Sequence, residues 1–186
     1  MYQQILNWAS EIIQVNSEII GLASLRRSKF EGWLKFELAR KLYQNEATEI
    51  HIEESHGNGL KCDLSFLFNN KKWFIELKTP NTSWKIPGIA NLVRPVKLNR
   101  ESIIKDVYKF RKNNIANGII CFVLFPIPQN NNRWQNYIEI ISQRIKQRIN
   151  FKNSCKLLPV GPHPFNPHPF NVVICCFRVK KKYLKQ

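Results

Sequence analysis

The sequence predicts an α/β fold, a mixed β-sheet made of an antiparallel three-stranded meander plus parallel strands, with helices flanking it. Three observations lead to this prediction. Residues 61–78 alternate between apolar and polar side chains with the period of two that β-strands produce. Residues 119–125, IICFVLF, form the continuous apolar run of a strand that is buried on both faces and parallel to a neighbour. Residues 101–112 and 133–149 carry apolar side chains at helical spacing, so helices alternate with strands in the second half of the chain.

Residues 61–78 are predicted to form a β-hairpin, and the rest of the sheet is expected to build on it. The two arms meet at Asn69 and Asn70, and asparagine tolerates the positive φ angles that a two-residue hairpin turn requires. One register pairs Phe68 with Lys71 and Asp63 with Glu76, and a register two residues longer pairs Asp63 with Lys78 and still keeps the three charged residues on one face. A slip by one residue would turn the apolar face of one arm to solvent, so the alternation itself restricts the register.

Charged residues collect on one face of this hairpin. The register places Asp63 directly opposite Glu76, with Cβ atoms about 4.5–5.5 Å apart, and Lys78 lies on the same face. Two carboxylates at that separation repel each other, and a divalent cation together with the Lys78 ammonium would relieve the repulsion. Oxygen ligands at this density suit Mg²⁺. The alternative interpretation is a surface hairpin with ordinary solvated charges.

Asp63 followed by Glu76-Leu77-Lys78 at the end of an apolar strand resembles the PD-(D/E)xK nuclease motif. Members of that family usually have proline before the aspartate, where this chain has Cys62. The resemblance implies a restriction-endonuclease-like core and Mg²⁺-dependent DNA endonuclease activity. It implies that Asp63 and Glu76 bind the metal and that the Leu77 carbonyl is a further ligand. Lys78 would orient or activate the attacking water.

The resemblance covers about residues 30–125. The size and layout of the chain are also similar to those of the small catalytic subunit of heterodimeric type IIS restriction endonucleases, whose larger partner carries the sequence-recognition domain. The resemblance implies a single nuclease domain over residues 1–186, with an N-terminal helical extension at 1–27 and a core at 28–178. Its partners would be double-stranded DNA and a larger, sequence-recognising nuclease subunit, because one such site cuts one strand.

The helix before the hairpin offers two glutamates. Ser28 and Glu31 have the spacing of a capping box, with Ser28 as the N-cap, and the helix is expected to run to about residue 45. Enzymes with the PD-(D/E)xK motif often place a glutamate of this helix near the metal. Because Glu31 has a structural role in the capping box, Glu37 is the candidate catalytic residue. The alternative is an i,i+4 ion pair between Glu37 and Lys41.

The remaining elements complete the order helix, strand, strand, strand, helix, strand, helix, strand. Residues 2–20 form an outer helix, and 48–53 form a strand antiparallel to the hairpin. Residues 171–177, NVVICCF, close the sheet. Residues 79–100 are rich in Pro, Gly and Asn and are predicted to be a long irregular segment. Four of its basic residues are candidate DNA contacts: Lys85, Arg94, Lys97 and Arg100.

Charge is strongly segregated along the chain, whose net charge is +16. Residues 1–76 contain 9 Lys or Arg and 10 Asp or Glu, whereas residues 77–186 contain 20 and 3. A polyanion is the natural partner of such a region. The basic end RVKKKYLK is interpreted as a solvated strand end in preference to a phosphate contact. No apolar run approaches the length of a membrane span, and five cysteines without a C-x-x-C pair favour a reduced, cytoplasmic protein.

Two other functions stay open at this stage. The chain could be a non-catalytic nucleic-acid-binding accessory protein, in which case the hairpin carboxylates are structural. It could also be a stand-alone homodimeric restriction, homing or junction-resolving nuclease of the same fold. No separate DNA-reading module is recognisable in the sequence, which favours the subunit of a heterodimer.

Overall fold

The computed structural model of the protein describes residues 1–26, 28–56, 60–89, 96–162, 164 and 167–181. The helices are α1 (Tyr2–Val15), α2 (Ser17–Arg26), α3 (Glu31–Gln44), α4 (Val96–Lys112), α5 (Arg133–Arg144) and α6 (Phe151–Ser154). The strands are β1 (Thr48–Ile52), β2 (Ser55–His56), β3 (Leu60–Lys61), β4 (Leu64–Phe68), β5 (Lys71–Lys78), β6 (Gly118–Ile127), β7 (Cys155–Val160) and β8 (Phe170–Arg178). Within these ranges, no helix has the length and apolar character that crossing a bilayer requires.

Six strands form one sheet in the order β1-β4-β5-β6-β8-β7, and β2 pairs with β3 in a separate ribbon. The predicted hairpin is confirmed, with β4 antiparallel to β5 and Phe68 opposite Lys71. Asn69 and Asn70 have φ angles of 48° and 57°, the left-handed values that a tight hairpin turn needs. β1 pairs antiparallel with β4, which completes the predicted meander.

β6 lies inside the sheet, and all of its residues are buried, as predicted for a strand covered on both faces. It runs parallel to β5, but β8 is antiparallel to β6. The predicted mixed sheet with flanking helices is confirmed, but the expected parallel strands beyond the meander reduce to β6, which forms with β5 the one parallel pair among the described strands. The chain crosses from β6 through α5 to β7, a strand that the sequence analysis missed, and β8 then returns between β6 and β7. β7 contains Pro159, which an edge strand tolerates but which obscures its pattern.

Helices cover both faces of the sheet, and each face has its own core. On one face α1 and α3 pack on alternate residues of the strands, including Ile75, Leu77 and Ile119. On the other face α4 and α5 pack on the intervening residues, including Ile120 and Phe122. Glu76 and Lys78 alternate with Ile75 and Leu77 along β5, so they belong to the face that α4 covers.

The N-terminal residues contribute to the first of these cores. The predicted helix over residues 2–20 is divided into α1 and α2 at Asn16, whose side-chain amide donates to the Ile12 carbonyl at 2.8 Å. Six α1 side chains in the first core are buried: Ile5, Leu6, Trp8, Ala9, Ile12 and Ile13. The segment predicted as an extension thus packs directly on the sheet.

Gly118, at the start of β6, has no room for a side chain. A Cβ atom there would lie 2.6 Å from Cδ2 of Phe110, which is fully buried in α4. Gly118→Ala is therefore expected to lower the free energy of unfolding by about 1–3 kcal/mol, because the fully buried ring must shift to admit the methyl group. Gly32→Ala in α3, where nothing lies within 4 Å of the new Cβ, is the matched control. It should stabilise the protein by up to about 1 kcal/mol. Urea denaturation of both variants tests this, and a Gly118→Ala protein as stable as the parent would contradict the packing described.

Candidate active site

Lys78 ends β5 in the middle of a cluster of carboxylates. Its ammonium Nζ lies within 4 Å of one carboxylate oxygen from each of four residues: Asp106 (3.4 Å), Glu76 (3.7 Å), Asp63 (3.8 Å) and Glu31 (3.9 Å). It also donates a hydrogen bond to the Leu77 carbonyl at 2.9 Å. The structure therefore brings together the three side chains that the hairpin was predicted to collect, Asp63, Glu76 and Lys78, and adds two acids from helices.

Asp63 takes its position because the regular β4–β5 pairing ends just beyond it, at Leu64 and Ile75. Its backbone N–H still donates to the Ile75 carbonyl at 3.1 Å. Its carboxylate Oδ2 accepts a hydrogen bond from the Leu77 backbone N–H at 2.8 Å. Asp63 is thus held against β5 by its own side chain, and the expected cross-strand pair with Glu76 is replaced by a contact through the backbone.

A buried lysine fixes the other oxygen of Asp63. Lys35 of α3 has only 6% of its side chain exposed, and its Nζ lies 3.1 Å from Asp63 Oδ1. Lys35 also donates to Glu53. Burial alone would raise the pKa of Asp63, but the Leu77 amide and the ammonium groups of Lys78 and Lys35 outweigh it and hold this pKa below its ordinary value. Asp63 is therefore ionised at neutral pH.

The surroundings of Glu76 shift its pKa in the direction opposite to that of Asp63. Only 5% of its side chain is exposed, and its Oε1 accepts a hydrogen bond from Lys109 of α4. Burial, followed by repulsion from Asp106 and Asp63, raises the pKa of Glu76 from 4.5 to about 7 even though Lys109 opposes the shift. Four carboxyl groups meet three ammonium groups in this cluster: Glu31, Asp63, Glu76 and Asp106 against Lys35, Lys78 and Lys109. Such a place attracts a cation.

Asp106 and Lys109 were missed in the sequence. Asp106 lies three residues after Ile103 and four before Phe110, both fully buried, so the helical spacing already placed it on the inner face of α4. An acid on an apolar helix face was the available signal. Lys109 carried no comparable signal, because it is one of several basic residues in the last turn of the same helix.

Glu37 does not reach the cluster. Its carboxylate pairs with Arg40, whose Nη2 lies 2.6 Å away, and Lys41 pairs with Glu11 instead. Glu31 is the glutamate of α3 that approaches Lys78. The predicted capping box is wrong, because α3 begins at Glu31 after Phe30 and no side chain caps it. Burial raises the pKa of the Glu31 carboxyl, and the nearby Lys78 ammonium opposes that shift.

The candidate DNA contacts that the structure describes fall in two places. Lys85 is exposed in the segment after β5. Lys97 and Arg100 lie in the first two turns of α4, which begins at Val96 and not at residue 101 as predicted. The Arg100 guanidinium lies 5.8 Å from the ring centre of Tyr137 and packs on α5. Arg94 lies outside the described residues.

The cluster is open to solvent. An open cleft of about 260 Å³ is lined by Lys61, Cys62, Asp63, Glu76, Lys109 and Glu53. A smaller pocket of about 40 Å³ adjoins Lys78 on the side of Thr79 and the start of α4. Asp63 and Glu76 therefore line the open cleft, whereas Lys78 lines the smaller pocket.

The donor atoms fit Mg²⁺ better than a metal held wholly by protein. Among the described residues, no group of three or more His, Cys, Asp or Glu side chains is arranged around one metal position. Mg²⁺ typically takes one or two carboxylates and keeps several waters, and Asp63 and Glu76 with the Leu77 carbonyl meet that need. Oδ2 of Asp106 is buried without a hydrogen bond from the part of the chain that the structure describes, and its ion-pair partner is the Lys78 ammonium at 3.4 Å.

Comparisons with known proteins add no relative to this description. No family model, curated protein or solved structure matches the chain. What the site does is therefore inferred from its own residues.

Proposed function

We propose that the protein is a Mg²⁺-dependent DNA endonuclease with a restriction-endonuclease-like PD-(D/E)xK core, and that it serves as the catalytic small subunit of a heterodimeric type IIS restriction endonuclease. One observation carries the proposal: the Lys78 ammonium lies within 4 Å of both Asp63 and Glu76 at the end of β5, and these two carboxylates line an open cleft. The carboxylate excess around them supports a bound cation, and the basic second half of the chain supports a polyanionic substrate.

Asp63, Glu76 and the Leu77 carbonyl would hold the metal ion. When bound, Mg²⁺ supplies Lewis-acid polarisation of the scissile phosphate and lowers the pKa of a coordinated water. The Leu77 carbonyl accepts a hydrogen bond from Lys78 at 2.9 Å, which keeps the Lys78 ammonium next to the place where the metal would be held.

The residues of the chain then position the reacting groups. Lys78 orients the attacking water and stabilises the negative charge that develops on the phosphate oxygens. The water oxygen forms a bond to phosphorus as the bond to the leaving 3′ oxygen breaks, which yields a 5′-phosphate and a 3′-hydroxyl. Asp106 of α4 and Glu31 of α3 form ion pairs with the Lys78 ammonium and act as positioning residues.

A specific observation favours a second candidate function. Lys35, Lys78 and Lys109 already pair with the carboxylates, as they would in a purely structural ion-pair network. On this reading the protein is a non-catalytic nucleic-acid-binding accessory protein. Its DNA binding would then be sensitive to salt but indifferent to Mg²⁺.

Supercoiled plasmid with Mg²⁺ separates these functions. The chain is assayed alone and with the protein encoded by the neighbouring gene. A catalytic small subunit cuts only with its partner, a homodimeric nuclease linearises plasmid alone, and an accessory protein cuts under neither condition. The informative variant is Asp63→Asn, which keeps an oxygen to accept the Leu77 N–H and should lower cleavage about 10²–10³-fold.

The control for this assay is Glu37→Gln. Because Glu37 pairs with Arg40 on the outer side of α3, the variant should cut at the rate of the parent. Asp63→Ala is a poorer probe, since it also leaves Lys35 with one carboxylate fewer in a buried position. Wild-type cleavage by Asp63→Asn would refute the proposed function.

A further inference from the structure

We propose that a second nucleic-acid contact lies away from the active site, in a cleft at the carboxyl end of β8 that binds the phosphate backbone of DNA. This basic cleft has a volume of about 690 Å³ and is lined by Tyr2, Gln147, Arg148, Arg178, Lys180 and Lys181, among others. It lies next to the loop before β6, because Arg178 donates to the Ala116 carbonyl at 3.0 Å. This contact does not depend on catalysis, and it gives a role to Lys180 and Lys181, which belong to the stretch predicted from sequence to be a solvated strand end.

The cleft is positive and has no acidic lining residue. Residues 140–186 contain ten Lys or Arg and no Asp or Glu. Arg148, Lys180 and Lys181 are exposed, and within the described ranges none of them forms an ion pair with a carboxylate. Their charges are therefore free to meet phosphates, in contrast to the lysines of the active site.

The walls of the cleft are held in place by a buried glutamine. The Gln147 side chain donates to the Arg178 carbonyl at 2.7 Å and accepts from the Lys180 backbone N–H at 2.9 Å. Arg111 of α4 donates to the Ile145 carbonyl at 2.6 Å and to the Lys180 carbonyl at 3.2 Å. The ends of β8, α4 and α5 are thus tied together, and the cationic side chains project from a fixed frame.

Polynucleotide is the partner that this arrangement fits. The volume is larger than a single phosphate needs, and several unpaired cations line one cleft, which matches a ligand with regularly repeated charge. Arg178 is already positioned, since its guanidinium lies 5.6 Å from the ring centre of Trp73 and donates to Asn117 Oδ1 at 2.9 Å. The three exposed cations supply the contacts to successive phosphates, as expected for sequence-independent backbone binding.

The test is anisotropy of a labelled duplex of about 20 base pairs in EDTA, over a range of salt concentrations. The triple variant Arg148→Gln, Lys180→Gln, Lys181→Gln should bind at least about tenfold more weakly at about 0.1 M salt, and the slope of log K against log[salt] should fall by about 2–3. The matched control removes three exposed charges outside the cleft: Lys71→Gln, Lys105→Gln and Arg133→Gln. It should change the affinity and the slope much less.

Equal losses in the two triple variants, or no loss in the cleft variant, would overturn the proposal. Two further probes identify the ligand. Inorganic phosphate at millimolar concentration should not displace the duplex, and phosphatidylserine vesicles should bind no better to the parent than to the cleft variant. A cleft variant that loses vesicle binding but keeps duplex binding assigns the cleft to anionic membranes instead. Because EDTA prevents cleavage, a failed nuclease assay leaves this result unaffected.

Discussion

Replacing Lys78 by methionine is expected to reduce Mg²⁺-dependent DNA cleavage by about 10²–10³-fold, while binding of a duplex in EDTA changes little. The ammonium is the one group that faces all four carboxylates of the site, and methionine keeps its length without its charge. Lys72→Met on the same strand is the control, because Lys72 forms a surface pair with Glu49 at 3.1 Å that contributes little to stability. The measurement is a single-turnover cleavage rate with the required partner present.

Lys78→Met should also make folding sensitive to pH. Without the ammonium, Asp106 and Glu76 lose a counter-charge, their pKa values rise, and the ionised site is destabilised above neutral pH. The variant should therefore lose more stability at pH 8 than at pH 5, whereas Lys72→Met should lose none at either. If Lys78→Met cleaves at the rate of the parent, Lys78 has no catalytic role.

Glu76→Gln is expected to abolish most of the cleavage and yet to stabilise the metal-free protein. The folded pKa of Glu76 is about 7, against an ordinary value of 4.5, so the native state holds this proton more tightly than the unfolded state does. The contribution of the protonated carboxyl to the free energy of unfolding is therefore fully present below about pH 4.5 and is lost as the pH rises through about 7. Glutamine cannot ionise and avoids that loss. In the absence of metal, we compare the free energy of unfolding of Glu76→Gln with that of the parent. The difference in favour of the variant should be about 2–3 kcal/mol larger at pH 8 than at pH 4.

Magnesium gives this prediction a second readout. If Glu76 binds the ion, adding Mg²⁺ at pH 8 should raise the thermal midpoint of the parent and leave that of Glu76→Gln unchanged. Glu139→Gln, at an exposed position of α5, should respond to pH and Mg²⁺ as the parent does. A stability difference between Glu76→Gln and the parent that is constant from pH 4 to pH 8 would show that the carboxyl ionises normally.

The parts of the site that could be predicted from sequence are those that one hairpin contains. The alternation of apolar residues and the two asparagines restrict the register of β4 and β5, and that register brings Asp63 near Glu76 and Lys78. Asp106 and Lys109 arrive on α4, whose rotation on the sheet depends on the packing of Ile103 and Phe110 against β6. Local spacing in the hairpin carries no information about that contact.

The choice between the two glutamates of α3 shows the same difference. Leu34, Leu38 and Leu42 form the buried stripe of α3, and Glu31 continues that stripe toward the start of the helix. Glu37 lies off it. The stripe is visible in the sequence, but the capping-box spacing was given more weight. In the structure, the packing of α3 on the sheet determines where Glu31 lies, and the capping box does not form. The missed strand β7 has a related cause, because Pro159 disrupts an edge strand without preventing it.

The lysines of the site have a consequence for how the protein matures. Lys35, Lys78 and Lys109 act as built-in substitutes for a metal, because each supplies positive charge to acids that would otherwise repel one another. The polypeptide can therefore reach its native state on the ribosome or in chelator without waiting for magnesium, unlike a zinc finger, which unfolds when its ion is removed. Under the proposed function, assembly would therefore be separate from activation, because folding would not require the cation that cleavage requires.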